Sequence, residues 1–281
     1  MKVVVLGAGG LLGRHVVEEL AGHDVVALGR ADCDVTRLEA VSRHVAGRDL
    51  VINCAAFTNV DGAETDVEGA YRANAIGAES AARAAREHGA KLVHVSTDFV
   101  FDGAESEGYD EFDVPRPLSA YGRSKWAGEK LCAAAHERVF IVRVQALYGV
   151  GGKNFSSRMR ELVAAGKPLK LDAERRVQPT WARSAARQLV ALAATDHYGT
   201  YHVSCSGSGT WADFARIIAE QLRVAPAWHE VGTAELRAAA ARPAHSLFIP
   251  RMLTLRGLHR MPTWQNALFD YLEEAAEKEK P

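Results

Sequence analysis

The chain has 281 residues, 48% of them hydrophobic and 25% charged, with a formal net charge of −1. That balance excludes a disordered chain and gives no electrostatic case for a nucleic-acid or anionic-membrane partner. No stretch is long enough to span a bilayer, and the opening MKVVVLGAGG is a short apolar run broken by glycines rather than a signal peptide, so a cytoplasmic location is expected.

Short runs rich in valine and isoleucine recur at KVVVL, DVVAL, LVIN, KLVHVS and VFIVRV, with helical patterns between them. This alternation predicts an α/β fold, a Rossmann-type doubly wound parallel sheet covered on both faces. Directly after the first run comes GAGGLLG, with Gly7, Gly10 and Gly13 in G-x-x-G-x-x-G spacing around Leu11 and Leu12. Strand, glycines and helix in that order are the context of the dinucleotide fingerprint. Gly7 would make the tight turn, Gly10 would let a pyrophosphate approach the backbone, and Gly13 would let the helix pack on the strand. The second run ends at Gly29-Arg30, where an NAD-preferring fold places a carboxylate on the ribose 2′-hydroxyl; Arg30 would instead pair with a 2′-phosphate, which predicts NADPH, with NADH as the alternative. Asp34-Val35, whose carboxylate could accept from an adenine amino group, and the small Ala55 and Ala56 after the third run fit the same pocket.

Residues 66–88 read as one long crossover helix stopped by Gly89. The fourth run leads into Ser96, Thr97 and Asp98, a hydroxyl at the carboxyl end of a strand where doubly wound folds bind ligands. At the start of the next helical pattern, SAYGRSKWAGEK sets Tyr121 and Lys125 four apart, on one helix face; of the seven tyrosines only Tyr121 has a lysine at that spacing. Beyond Gly149 the texture changes. The loop GVGGKN, helices over 155–165 and 182–194, and prolines at 168, 179, 226, 243, 250 and 262 suggest that residues 1–150 form the nucleotide domain. Residues 151–281 would be mainly a smaller C-terminal substrate-binding lobe, with some segments free to return to the sheet. The 263–280 tail is predicted as a helix with a solvated end. The four cysteines, Cys33, Cys54, Cys132 and Cys205, form no CxxC and read as buried thiols, and the eleven histidines show no ligand spacing, so no metal site is expected.

The glycine pattern, Thr97 and Y-x-x-x-K together resemble the extended short-chain dehydrogenase/reductases. More narrowly, STDFVFDG, YGRSKWAGEK, YGVGGKNF, QPT, GTYHVS and ARPAHS, in that order and across nearly the whole chain, resemble the dTDP-4-dehydrorhamnose reductase family. The resemblance implies NADPH-dependent reduction of the 4-keto group of a nucleotide-linked 6-deoxysugar. Tyr121 would be the general acid, Lys125 would bias the phenol and bond the nicotinamide ribose, and Thr97 would donate to the carbonyl oxygen. By the same analogy Asp98 would touch the sugar, with Asn154 and Arg242 on the sugar nucleotide. A homodimer is common among such relatives.

Two stretches depart from the family pattern. Ala146 stands where the reductases carry a tryptophan, and Glu174-Arg175-Arg176-Val177 replaces Asp-Gln-x-Gly. The first would open space beside the substrate, and the two arginines could engage additional phosphate or sit in solvent. These departures leave open a related keto-sugar. They also leave open an NADP-binding regulatory subunit resembling that of methionine adenosyltransferase, and an epimerase or dehydratase of the same superfamily. The complete Thr97, Tyr121 and Lys125 set favours catalysis.

Overall fold

Each of the five apolar runs becomes a strand of one parallel sheet, and a sixth strand comes from the C-terminal half. In the computed structural model, which describes residues 1–151, 155–166, 168–225, 228–236 and 239–278, the strands lie in the order Asp24–Leu28, Lys2–Leu6, Leu50–Asn53, Lys91–Thr97, Val139–Val144 and Gly199–Val203. The central strands are buried on both faces, as their unbroken apolar runs require. One face is covered by Leu38–Val45, Gly77–Glu87 and Ala120–Ala135, the other by Leu11–Glu19 and Ala182–Ala193, which pack on each other.

The chain passes from the first strand outward to Asp24–Leu28 and then back across to Leu50–Asn53. The carboxyl ends of the first and third strands therefore flank the topological switch point. Leu6 pairs with Asn53 there, and the Cys54 amide donates to the Leu6 carbonyl at 2.9 Å. The glycine loop and Ala55 are delivered to the same crevice.

The crossover helix predicted over 66–88 forms with one interruption. Asp66 caps it by accepting from the Gly69 amide at 2.9 Å, and Gly89 ends it at φ +67°. Between Val67–Tyr71 and Gly77–Glu87 lies a π-helical turn, Arg72–Ile76. There the buried Asn74 side chain accepts from the Phe57 amide and donates to the Ser124 hydroxyl, and its backbone carbonyl lies against Gly128, where an added Cβ would come within 2.1 Å. The widened turn thus coincides with a very close helix contact beneath the site.

In the C-terminal half, Phe155–Ala164, Trp211–Leu222 and Trp264–Lys278 are helices, and the strand pairs Leu147–Tyr148 with Thr180–Trp181 and Leu169–Asp172 with Trp228–Val231 are parallel. Tyr148 packs edge-on against Phe214 and Tyr271, with ring centroids 5.1 and 5.2 Å away. The Ala182–Ala193 helix and the Gly199–Val203 strand return to the first sheet, so its last strand lies far along the chain from the fifth. Among the described residues no helix is long and apolar enough to cross a membrane. All four cysteines are free thiols; Cys54 is half-buried and the other three are buried.

Candidate active site

The glycine loop is shaped by contact as well as by conformation. Gly7 has φ +74°, and a Cβ there would stand 2.6 Å from the Ala55 amide nitrogen, while a Cβ on Gly13 would stand 2.3 Å from the Gly7 carbonyl oxygen. Gly10 is the N-cap of Leu11–Glu19, with no side chain bonded to the free amides of the first turn. A cradle that side chains would fill, opening onto an uncapped helix start, suits a pyrophosphate. Leu12 is buried in the core, which leaves its backbone for the pocket, and Leu11 packs toward Gly149. Ala55 and Ala56 follow the third strand, the Ala55 amide donating to Asn53 Oδ1 at 3.1 Å. Arg30 is exposed at the end of the second strand, and Asp32 beside it accepts from the Gly29 amide at 2.8 Å. Asp34 accepts from the Thr36 amide and hydroxyl through Oδ1, bonds that hold its carboxyl below the usual range, and Val35 packs against Gly77.

Ser119 starts the helix Ala120–Ala135 by accepting from the Gly122 amide at 3.1 Å, which fixes Tyr121 and Lys125 in its first turns. At Gly122 an added Cβ would meet the Phe99 carbonyl at 2.2 Å, so only glycine lets this helix press on the end of the fourth strand. That contact sets the Tyr121 phenol near Thr97, whose hydroxyl donates to Asp98 Oδ1 at 3.1 Å. The Phe99 ring meets Tyr121 edge-on at 5.5 Å. Tyr121 is 9% exposed, and burial pushes its phenol up to about 12; the nearby Thr97 hydroxyl opposes this, and the Asp98 charge acts in the same direction as burial. Lys125 is 2% exposed, donates from Nζ to the Val95 carbonyl at 2.6 Å, and is pushed down to about 8 by burial, against the pull of Glu129. The phenol is thus raised by burial, and the Lys125 ammonium is engaged by the Val95 carbonyl of the fourth strand.

A family model described as the RmlD substrate binding domain matches residues 1–277. The chain belongs to the dTDP-4-dehydrorhamnose reductase family. It is 37% identical to the dTDP-4-dehydrorhamnose reductase of Mycobacterium tuberculosis over 95% of this chain and 91% of the relative. It is also 38% identical to a dTDP-4-keto-6-deoxy-D-glucose reductase of Streptomyces niveus over 76% of each. The crystal structure of a Bacillus anthracis dTDP-4-dehydrorhamnose reductase in complex with NADP is 40% identical and superposes with a TM-score of 0.94, covering 98% of this chain and all of that one. The chain is thus an NAD(P)H-dependent oxidoreductase of the nucleotide-sugar class.

Within this reductase two of the residues expected at the sugar are bonded to other side chains of the protein. Asp98 does not reach outward: Thr97 donates to one of its oxygens, Ser246 and Gln145 donate to the other at 2.6 and 3.3 Å, and burial raises its pKa. The carboxylate positions Thr97 and joins the strand end to Gln145 and Ser246. Arg242 forms a two-pronged pair with Asp61, at 2.9 and 3.1 Å, tying a C-terminal loop to the helix Val60–Thr65. Asn154 lies outside the described residues.

The sequence reading missed a buried layer behind Lys125. Arg143 and Glu129, each 5% exposed, form a bidentate pair at 2.9 and 2.7 Å; Ser96 donates to the same carboxylate at 2.5 Å, and the neutral His202 ring lies 3.3 Å from Arg143. Glu129 continues the four-residue spacing from Tyr121 through Lys125, a signal that was available in the sequence. Gln145 was missed too. It donates to Asp98 and to the Ser246 backbone carbonyl, and its Oε1 accepts from the Gln178 amide at 2.6 Å. Ala146, in the place of the family's tryptophan, adopts φ +45° beside it.

Proposed function

We propose that this reductase converts dTDP-4-dehydro-L-rhamnose to dTDP-L-rhamnose with NADPH. The buried Tyr121 phenol beside Thr97 at the end of the central strand, with the buried Lys125 ammonium four residues on along the same helix, is the observation that carries this reading. NADPH supplies the hydride when bound. Gly7, Gly10 and Gly13 hold its pyrophosphate through the backbone, Arg30 takes the 2′-phosphate, and the small Ala55 and Ala56 leave room for the nucleotide.

As the hydride forms the new C–H bond at C4, the carbonyl electron pair moves onto oxygen, which takes the Tyr121 Oη proton. A phenol pushed up to about 12 stays protonated near neutral pH, the state an acid needs. Thr97 holds the carbonyl oxygen beside the phenol, Asp98 holds Thr97, and the Lys125 ammonium favours the phenolate that remains until water returns its proton. The complete Thr97, Tyr121 and Lys125 set supports catalysis over a purely regulatory role. Ala146, where the family has an indole, supports a second substrate, another dTDP-linked 4-keto-6-deoxysugar of the kind named for the Streptomyces niveus relative.

The test follows NADPH absorbance with each keto-sugar, for wild type and Tyr121→Phe. The variant is expected to keep NADPH affinity and to lose turnover by roughly 100- to 10,000-fold. Turnover near that of wild type removes Tyr121 from the mechanism; tight NADPH binding with no turnover on any keto-sugar supports the regulatory alternative.

A further inference from the structure

Glu129 follows Tyr121 and Lys125 at successive turns of Ala120–Ala135, and all three side chains are buried. Lys125 and Glu129 grip neighbouring points of the fourth strand. Lys125 Nζ donates to the Val95 carbonyl at 2.6 Å, and Glu129 Oε1 accepts from the Ser96 hydroxyl at 2.5 Å; the next strand residue is Thr97. Arg143, which stands opposite Ser96 in the sheet register, closes on the same carboxylate with Nε and Nη2 at 2.9 and 2.7 Å. One carboxylate thus ties the helix of Tyr121 and Lys125 to two strands, next to Thr97. As a fastening alone this is a poor device, because desolvation consumes most of what a buried ion pair gains and apolar side chains of similar size hold two elements together as well.

The groups around Lys125 give the carboxylate a second task. Its own helix supplies Tyr121, Glu129 and Cys132, the segment after the third strand supplies Cys54, and the fourth strand supplies His94. The positive Arg143 of the fifth strand is taken up by Glu129, and the Asp98 charge at the strand end acts on Tyr121. Burial pushes the Tyr121 phenol and the Cys54 and Cys132 thiols up to about 12 and the His94 ring well below its ordinary value, so these four are neutral near pH 7. Glu129 is the one negative charge among the groups that act on Lys125. Burial pushes the amine down to about 8 even with that carboxylate opposing it, and without it the proton would be lost closer to neutrality.

We propose that Glu129 is a positioning residue for the ketone reduction: anchored by Ser96 and Arg143, it sets a negative charge one helical turn from Lys125 and so keeps the ammonium charged and seated on the Val95 carbonyl while Tyr121 gives up its proton. The proposal rests on the reading of Tyr121 as the acid and Lys125 as the charge that favours its phenolate.

The experiment reads Lys125 directly, by NMR titration of protein whose lysines are isotopically labelled at Cε, with Lys125→Met assigning the signal. It compares wild type, Glu129→Gln, and the double variant Glu129→Met with Arg143→Met, which exchanges the ion pair for apolar side chains and should fold even where the single variant does not. The Lys125 midpoint should fall by roughly one pH unit in Glu129→Gln and by at least about half a unit in the double variant. Turnover of the keto-sugar should follow the charge, so that a one-unit fall costs roughly fivefold at pH 8 and less than about twofold at pH 6. A Lys125 midpoint unmoved in the double variant, or an equal loss of turnover at pH 6 and pH 8, overturns the proposal and leaves the pair a fastening only. Wild-type turnover is scored separately: if no keto-sugar is reduced while the Lys125 midpoint still falls without Glu129, the substrate reading fails and the support of Lys125 by Glu129 stands.

Discussion

Lys125→Met should make the protein more stable and nearly inactive. The buried ammonium has its pKa pushed from 10.5 to about 8 by burial, so at pH 7 the charged lysine disfavours the folded state by about 3 kcal/mol relative to a lysine in water. Methionine has a similar length and no charge, and it gives up the 2.6 Å bond to the Val95 carbonyl, a loss of about 1.5 kcal/mol. The net expectation is a gain on the order of 1 kcal/mol, or a few degrees in unfolding midpoint for a chain of this size.

The pH dependence gives the sign. Below pH 8 the lysine is protonated in both folded and unfolded chains, and the penalty is full. Between pH 8 and 10.5 the folded lysine gives up its proton while the unfolded one keeps it, so wild-type stability rises relative to the variant. Above 10.5 the electrostatic penalty is gone. Calorimetric unfolding of both proteins at pH 7 and pH 10, with initial rates of NADPH oxidation at pH 7, tests this. Turnover should fall roughly 100-fold or more, since the charge that favours the phenolate is lost. A variant less stable than wild type at pH 7, with a difference that does not move toward pH 10, would refute the burial argument and make the ammonium a stabilising group.

Glu129→Gln leaves Arg143 buried opposite a neutral amide and should lower unfolding free energy by about 3–5 kcal/mol, read from urea denaturation; a loss under about 1 kcal/mol would mean that the pair contributes little to the fold. Gly13→Ala places a methyl 2.3 Å from the Gly7 carbonyl and should weaken NADPH binding at least roughly 10-fold, measured by fluorescence titration, because the cradle must open to admit it. Arg30→Asp should reverse the preference between NADPH and NADH in paired titrations while stability stays within about 0.5 kcal/mol, since the side chain is exposed; unchanged preference would place the 2′-phosphate elsewhere.

Much of the fold was legible because its signals are local. A strand buried on both faces must be apolar without interruption, a turn at φ +74° against a neighbouring backbone must be glycine, and a phenol and amine on one helix face must be four apart. KVVVL, Gly7 and the Tyr121–Lys125 pair carried those signals, and the structure has the elements they predict. The sixth strand, Gly199–Val203, was not assigned to the sheet, because its neighbour Val139–Val144 is distant in sequence and only the packing of Ala182–Ala193 on Leu11–Glu19 returns the chain there.

The same division holds within the site. The sequence by itself determined which groups were available: a hydroxyl at a strand end, a phenol with a lysine, and a glycine-rich turn before a helix. The tertiary structure decided where each charge lies. Burial, which no local pattern encodes, moved the phenol up and the ammonium down, matched Glu129 with Arg143, and turned Asp98 from a reaching side chain into a support for Thr97. It also left Arg175 partly paired while Arg176, beside it in the chain, found Ser208. Those outcomes depend on contacts between residues tens of positions apart, and the energy of a charge is set by everything folded around it.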